Sequence, residues 1–556
     1  MSTVPIQPAD IPHPDISQTR FLIIEDYEGM RAMMRNILTR AGASKIAQAP
    51  NAAQAISLIE RLQFDVVLCD FHLGPGRNGQ EILEEARHRA LLAPHTVWLM
   101  VSSEKTAEMI TGTMESRPDD YLIKPITETL LFSRLSRQMA KKQILAPIEG
   151  AMREHEYLKA LRLTDAQMDG KTPKQNAHTW ELKRLKAELA MHSGEHVMAK
   201  AIYDEALSIR DLPWARLGLA KIHFNEKRYE EARKELKEIT DGNRSYLEAH
   251  DWLALTLDKL GDTRGAQEIL QRALATSPRA PLRQLHLGEV AYRRGDMKTA
   301  SNAFKISIEL ARKTPLKTPQ AYLALSQVQL AQNNTEGALE TLTALAADLQ
   351  ENATARLLSE AMQIPVHMQT GEEVRAKHLA QKLAPELESE AQHLPVEALF
   401  HLAPPLLKLG EQTTATTLLS SVIGNNHEHP EYMQRAQLIF TAAGLEDEGR
   451  KIVQGAARAA TDIMNRGIIL SRNGKLGEAI ELTREARLKM PSNTRLLLNH
   501  AFLLIAWMEQ HGRDSSLHNE ARKCIEQARK LKPDEKRTGE LLTRLELIGN
   551  DFELMA

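Results

Sequence analysis

The sequence predicts two fold classes in one chain: an α/β domain on a doubly wound, five-stranded parallel sheet, then an all-α superhelical solenoid. Three observations carry this expectation. Short apolar runs alternate with helical segments over the first quarter of the 556 residues, the pattern of a parallel sheet covered on both faces. From about residue 141 the strand signals stop and paired helical segments follow. Within them Ala232, Ala266 and Ala300 stand 34 residues apart each time, the period of a stacked helical repeat.

The elements of the first domain follow in order. Arg20-Phe21-Leu22-Ile23-Ile24 is an apolar strand that ends on Glu25 and Asp26. Glu28 to Ala41 is helical, with Met30, Met33, Met34, Ile37 and Leu38 at helical spacing, a stripe that reads as core packing. Ala52 to Leu62 is the next helix. Phe64 to Leu73 then carries an unbroken apolar run that ends on Asp70 and passes into Leu73-Gly74-Pro75-Gly76. A helix from Gln80 to Arg89 follows. Val97 to Ser103 is a strand ending in hydroxyls, Thr106 to Met114 a helix, and Asp119 to Pro125 a strand ending in Lys-Pro. Thr127 to Ile144 completes five helices around five strands. An aspartate at the carboxyl end of a buried strand sits where open α/β sheets bind ligands, although alone it reads more readily as the start of a turn.

Asp70 is not alone. An acidic pair, a lone aspartate, a serine and a lysine all stand at carboxyl ends of strands in one alternating stretch. In this, residues 18–140 resemble a response-regulator receiver domain, with its flavodoxin-like sheet. The resemblance implies that Asp70 accepts a phosphoryl group from a sensor histidine kinase. It implies a Mg²⁺ site made by Glu25, Asp26, Asp70 and the main-chain carbonyl of His72, with Asp26 a direct ligand and Glu25 acting through water. Lys124 would pair with the phosphoryl oxygens, Ser102 would hydrogen-bond them, and Tyr121 would be the aromatic that turns inward. Elementary electrostatics agrees. Each carboxylate pair at ~4 Å costs roughly 4 kcal/mol at an effective dielectric of 20, a cost that a hard divalent cation with oxygen ligands removes. The loop from Phe71 to Gly79 is one residue longer than the commonest family form, which bears on the partner-facing surface.

Composition bounds the remainder. Formal net charge is −2, so no nucleic-acid footprint is expected. Arg134, Arg137, Lys141 and Lys142 share a helix and read as a solvated face. The two cysteines, Cys69 and Cys524, form neither a disulfide framework nor a zinc pattern, which suits a reducing, cytoplasmic setting. No run of 18 apolar residues occurs, so no membrane insertion is expected. Residues 1–17 carry four prolines and no apolar core and read as a disordered lead-in.

Residues 141–175 read as a helical connector, broken near Pro147 and again near Gly170-Lys171-Thr172-Pro173. Residues 176–556 read as repeats. Around Ala266 stand Ala254, Leu257, Gly261, Leu270, Ala273 and Pro278; around Ala300, Leu287, Gly288, Gly295 and Phe304; around Ala479, Gly467, Leu470, Gly474, Ala486 and Pro491. This small-large pattern resembles the tetratricopeptide repeat. The pattern is weaker around Ala199, Ala338, Ala376 and Ala415, and the register near Gly449 is open. Ala479 and Ala521 lie 42 apart, which places an inserted loop at 510–518, and Glu535 to Leu547 would cap the array. The resemblance implies a concave groove lined by first-helix residues: Lys221, Phe224, Asp251, Leu255, Asp258, Lys259, Glu289, Tyr292 and Arg293. Their mixed charge with a few apolar groups suits a polypeptide.

The combination implies a two-component response regulator that controls a protein–protein interaction through its repeats. An alternative is an inhibitor or phosphate sink acting on a histidine kinase or a sister regulator. A transcription factor would require a basic groove or a helix-turn-helix, and neither is visible. No nucleophile–base constellation marks the repeats, so no enzyme is expected beyond the receiver's own phosphoryl chemistry.

Overall fold

The computed structural model describes residues 15–74, 76–103, 115–168, 179–242, 246–312, 314, 316–532 and 535–550. The expected lead-in through residue 14, the helix at 106–114 and the break at 170–173 lie outside the described residues. The chain forms two compact units. One comprises Met1–Leu189, Lys200–Val290 and Ile306–Lys317; the other comprises Ala190–Ala199, Ala291–Lys305 and Thr318–Ala556.

In the first unit, β1 (Arg20–Ile24), α1 (Glu28–Arg40), β2 (Lys45–Ala49), α2 (Ala52–Arg61), β3 (Val66–Asp70), α3 (Gly79–His88), β4 (Val97–Ser102) and β5 (Asp120–Ile123) build the α/β domain with α4 (Glu128–Arg153). The sheet is parallel throughout, in the order β2-β1-β3-β4-β5. Alternate strand residues feed two cores, because side chains along a strand point to opposite faces. Phe21, Ile23, Val66, Leu68, Leu99 and Val101 pack with Met34 and Leu38 of α1 and Leu131, Phe132 and Leu135 of α4. Leu22, Ile24, Val67, Cys69, Trp98 and Met100 pack with Ile56 and Ile59 of α2 and Ile82 and Leu83 of α3. The methionine stripe of α1 is thus core, as its spacing suggests.

The expected break near Pro147 does not occur. Helix α4 runs through it to Arg153, and Leu145, Ile148 and Ala151 are buried on either side. Their burial outweighs the one backbone hydrogen bond that proline removes. The chain turns instead at His155, whose φ of +59° is left-handed, and α5 (Tyr157–Met168) follows.

Paired helices fill the rest. They are α6 (Thr179–His192), α7 (His196–Ile209), α8 (Pro213–Asn225), α9 (Tyr229–Gly242), α10 (Leu247–Lys259), α11 (Thr263–Thr276), α12 (Pro281–Arg294) and α13 (Met297–Ala311). Then come α14 (Pro319–Ala331), α15 (Thr335–Asp348), α16 (Ala353–Ala361), α17 (Gln363–Gln369), α18 (Glu373–Glu390), α19 (Val396–Lys408) and α20 (Gln412–Asn425). The series ends with α21 (Pro430–Ala442), α22 (Glu446–Arg472), α23 (Leu476–Lys489), α24 (Thr494–His511), α25 (Ser515–Leu531) and α26 (Lys536–Asn550). Ala199, Ala232, Ala266, Ala300, Ala338, Ala376, Ala415 and Ala479 are each the fourth residue of a second helix, and all are fully buried. A small residue there lets the two helices of a pair close on each other.

Three features depart from a uniform array. Gly449 is the fourth residue of α22 and fills the small-residue position, where an added Cβ would lie 2.3 Å from Phe440 Cβ. Helix α22 then continues without a turn as the first helix of the next pair. Met362 separates α16 from α17, because Pro365 cannot donate the bond that would continue the helix from Ala361. Finally, 510–518 is not an inserted loop. The eight residues beyond a 34-residue period lengthen α24 and α25, and only residues 512–514 connect them. The added turns stay helical because Leu504, Ile505 and Met508 are buried and Asp514 caps α25.

Candidate functional site

The carboxyl edge of the sheet gathers the chemistry at the reversal of strand order between β1 and β3, where open α/β sheets form their crevice. Ile24 pairs with Cys69 and Asp70 with Val101, so the residues that follow β1 stand beside the end of β3. Carboxylate oxygens of Glu25, Asp26 and Asp70 lie within 4.8 Å of one another. Glu25 and Asp70 are buried and Asp26 is exposed, which leaves the cluster open on one side.

Lys124, immediately after β5, reaches into this cluster. Its Nζ donates to Glu25 Oε2 at 2.8 Å and to Asp70 Oδ2 at 3.0 Å. Burial pushes the Glu25 carboxyl up, the Lys124 hydrogen bond pulls it back, and Asp70 adds repulsion. Burial works against the charge on Lys124, but its bonds to Glu25 and Asp70 hold its pKa above the ordinary lysine value. One ammonium among three carboxylates leaves an excess of negative charge in a partly closed pocket.

The backbone fixes this geometry from several sides. Arg31, in the first turn of α1, donates Nη1 to the carbonyls of Glu25 and Asp26 at 2.7 and 2.8 Å. The loop after Asp70 folds back through Gly74 and Gly76, both at positive φ, and Gly79 N bonds Phe71 O at 2.9 Å. Gly79 opens α3 against the acceptor strand so closely that a Cβ there would sit 2.1 Å from the Asp70 carbonyl. Asn78 and Glu81 form a reciprocal capping box on α3. Sequence reasoning missed Arg31, because its bonds go to backbone carbonyls and leave no signature in the sequence.

The remaining expected positions fall around this cluster. Ser102 ends β4 fully buried, and the Lys124 amide bonds its carbonyl at 2.7 Å. Tyr121 is half-buried on β5 and packs against the core that holds Trp98 and Met100. His72 follows Phe71 with an exposed side chain whose ring meets Phe71 edge-on at 4.9 Å.

Of the nine expected groove residues, Lys221 and Phe224 lie on α8, Asp251, Leu255, Asp258 and Lys259 on α10, and Glu289, Tyr292 and Arg293 on α12. Phe224 is a correction. It is buried, in edge contact with Tyr229 and Trp252 at 5.2 and 5.3 Å, and cannot meet a ligand. An aromatic at that position is large enough to bridge the helix pair and is drawn into the core. Lys221 donates to Glu248 at 2.7 Å and lies 5.3 Å from the Trp252 ring. Asp251 accepts two bonds from Arg283, at 2.6 and 2.7 Å. Leu255, Asp258, Glu289 and Tyr292 are half-exposed, and Lys259 and Arg293 are exposed.

One array in the repeats has the order of a nucleophile, a base and an acid. Thr483 Oγ1 lies 2.7 Å from His500 Nδ1, and His500 Nε2 lies 3.0 Å from Glu520 Oε1. Thr483 and His500 are buried, and the threonine hydroxyl also bonds the Ala479 carbonyl at 2.9 Å. No substrate reaches such a hydroxyl, and Arg484 and Arg487 complete a structural polar network around Glu520. Three of the four residues of the basic helix face, Arg134, Lys141 and Lys142, are likewise paired. Arg134 pairs with Asp120, Lys141 with Glu181, and Lys142 with Asp119 and Glu149. Both cysteines are free and buried, and no helix among the described residues is long and apolar enough to cross a membrane.

Comparison with known proteins identifies both kinds of domain. Residues 21–136 match the response regulator receiver domain family, and residues 176–255 and 253–315 match two tetratricopeptide repeat families. Chemotaxis protein CheY-3 of Vibrio cholerae is 27% identical over 118 residues, which is 21% of this chain and 89% of that protein. A CheY-like receiver domain protein from Methanospirillum hungatei is similar in structure at 24% identity and a TM-score of 0.21, over 22% of this chain and 96% of its own. Pseudomonas aeruginosa pilF aligns at 15% identity and a TM-score of 0.31, over 39% of this chain and 95% of its own.

Proposed function

We propose that this chain, in which a response regulator receiver domain precedes tetratricopeptide repeats, is a phosphorylation-controlled interaction module of a two-component pathway. A sensor histidine kinase phosphorylates Asp70, and the repeats take or release a protein partner according to the state of the receiver. The observation that carries this reading is the convergence of Glu25, Asp26 and Asp70 on one pocket beside Lys124. A lone aspartate at a strand end has no such company.

The donor set fits Mg²⁺, which takes a few carboxylate oxygens and waters. Asp26, Asp70 and the His72 carbonyl would hold it, with Glu25 acting through water. When bound, the ion would supply charge neutralisation for the phosphoryl oxygens. The chain's own groups do the rest. Asp70 supplies the accepting oxygen, Lys124 pairs with the incoming phosphoryl group, and Ser102 hydrogen-bonds it once the β4 end adjusts. Tyr121, half-buried beside that end, then turns further inward. On the repeats, Lys221, Asp251, Leu255, Asp258, Lys259, Glu289, Tyr292 and Arg293 form the partner-facing set, with mixed charge suited to a polypeptide.

The test is hydrogen exchange on the full chain in Mg²⁺, with and without beryllofluoride, a phosphoryl mimic. The proposal expects altered protection at the β4 and β5 ends and in α10 to α12, and none of this in Asp70→Asn. Identical exchange with and without the mimic would overturn it.

A further inference from the structure

The second compact unit holds a cavity of about 700 Å³ where successive repeats turn. Its walls come from the turn before α19, the end of α20 with the turn into α21, the turn before α24, and the start of α26. Leu394, Leu399, Val422 and Leu498 supply an apolar side, and Tyr432 supplies an aromatic ring. A concave space of this size, apolar in part and with a few placed polar groups, suits a small molecule better than a protein surface.

The polar groups of the cavity are unevenly matched. Two of the three cations in its lining are taken by its two carboxylates: Arg495 pairs with Glu428 at 2.7 Å, and Lys532 with Glu535 at 2.6 Å. Arg537 is left. Its Nη1 donates to the neutral amide oxygen of Asn499 at 2.7 Å, and its Nε and Nη2 make no hydrogen bond among the described residues. Burial pushes its pKa below the ordinary arginine value; Glu535 and Glu540 oppose this, and repulsion from Arg495 and Arg544 adds to it. His427 feels the same field. Asn493, which caps α24 and is 1% exposed, accepts from the Leu496 amide with Oδ1 at 2.9 Å. Its Nδ2 therefore donates, to the Gly424 carbonyl at 2.8 Å and to His427 Nδ1 at 3.1 Å. The neutral imidazole then carries its proton on Nε2, which has no partner among the described residues. Burial leads in pushing the His427 pKa down, Glu428 opposes, and Arg495 and His429 add to the fall. Ser421 Oγ, in the same lining, is buried and makes no hydrogen bond among the described residues. Buried polar groups are as a rule satisfied. Here a guanidinium, an imidazole N–H and a hydroxyl share one cavity, and α24 orients the first two through Asn499 and Asn493.

We propose that this cavity binds a phosphate monoester of an aromatic body, of the size of a mononucleotide. Arg537, His427 and Ser421 donate to the phosphoryl oxygens, and the ring lies against Tyr432 and the leucine side. A guanidinium offers paired N–H donors that match phosphate oxygens, and charge assistance makes those bonds the strong ones. An acidic peptide would call for a row of unpaired cations, whereas Arg537 alone in this lining lacks a carboxylate among the described residues. The residues of the site all lie in the second compact unit, so the inference stands independently of Asp70 and its chemistry.

The experiment is calorimetric titration of the full chain with AMP, phenyl phosphate, adenosine and inorganic phosphate. Both esters are expected to bind, with adenosine and inorganic phosphate each at least about tenfold weaker than AMP. Arg537→Gln is expected to weaken AMP by about tenfold or more. Lys530→Gln makes the same charge change at an exposed residue of α25 outside the lining, and is expected to change affinity less than about twofold. Ser421→Ala keeps the test open should Arg537→Gln fold poorly. It is expected to weaken AMP by about threefold while keeping or raising the melting temperature, because it removes a hydroxyl that has no partner to lose. A merely structural serine would not separate the two readouts. Binding of neither ester at about 1 mM would overturn the site. Adenosine equal to AMP would overturn the phosphate contact, and inorganic phosphate equal to AMP would overturn the aromatic one. Arg537→Gln and Ser421→Ala both indistinguishable from Lys530→Gln would place any binding elsewhere and overturn the assignment.

Discussion

Lys124 holds its ammonium 3.0 Å from Asp70 Oδ2 across the carboxyl edge of the sheet, and 2.8 Å from Glu25 Oε2. The two strands that bring them there, β3 and β5, are separated by β4. The pair therefore exists only when the sheet is complete, and it answers the repulsion that the carboxylates impose on one another.

Lys124→Ala leaves Glu25 and Asp70 buried without their cation. Breaking a buried pair costs up to ~5 kcal/mol, and the partial exposure of the lysine reduces this to about 2–3 kcal/mol. Calorimetry in EDTA is expected to show a lower melting temperature for the receiver. Millimolar Mg²⁺ should raise that temperature more for the variant than for wild type, because the ion binds the folded site and replaces the missing charge. An Mg²⁺ response absent from both proteins would remove the metal from the account.

Gly449→Ala separates two opposed effects. Helix propensity alone would favour alanine by about 1 kcal/mol. The added Cβ, however, would lie 2.3 Å from Phe440 Cβ, and overpacking of this kind costs typically 1–3 kcal/mol. The expected outcome is a net loss of up to about 2 kcal/mol, read as faster hydrogen exchange across α21 and the start of α22. A gain in protection would show that the close helix approach is not required there.

These two sites mark what the sequence does and does not reveal. The strands β1, β3 and β4 are legible because they are buried on both faces and read as unbroken apolar runs. Strand β2, with Lys45 exposed and Gln48 half-buried at the sheet edge, carries no such signal and was not separately identifiable. The convergence of Glu25, Asp26, Asp70 and Lys124 was legible because each stands at a strand end, and parallel topology brings such ends together. Arg31 was not, since its bonds go to backbone carbonyls, which have no sequence signature. Gly449 hid the repeat register because glycine replaces the alanine that marks every other pair up to Ala479. The lengthened hairpin of α24 and α25 was hidden because a longer period fits an insertion or an extra turn in each helix equally well.

The Thr483–His500–Glu520 network predicts how the C-terminal repeats respond to acid. Burial pushes His500 down to about 4 from 6.5, against the pull of Glu520. The hydrogen bond from Arg484 leads in lowering Glu520 to about 2 from 4.5. The folded state therefore resists protonation that the unfolded chain accepts. The His500 contribution is complete above pH 6.5 and is lost as pH falls toward 4; the Glu520 contribution is complete above pH 4.5 and is lost as pH falls toward 2. Each is at most ~3 kcal/mol. Protection factors in α23 to α25, corrected for the pH dependence of intrinsic amide exchange, are expected to fall between pH 7 and 5 in wild type and to respond less in His500→Gln. Equal pH responses would detach the network from stability.

The most direct test of the account is intact-mass spectrometry of the full chain after incubation with acetyl phosphate and Mg²⁺. Wild type is expected to gain the mass of one phosphoryl group, in a form labile to hydroxylamine as an acyl phosphate must be. Asp70→Asn is expected to gain none, while keeping its melting temperature or raising it slightly, because one charge leaves a crowded acidic pocket. Labelling of a folded Asp70→Asn protein to the wild-type level would contradict the claim that Asp70 is the acceptor on which the chain's function turns.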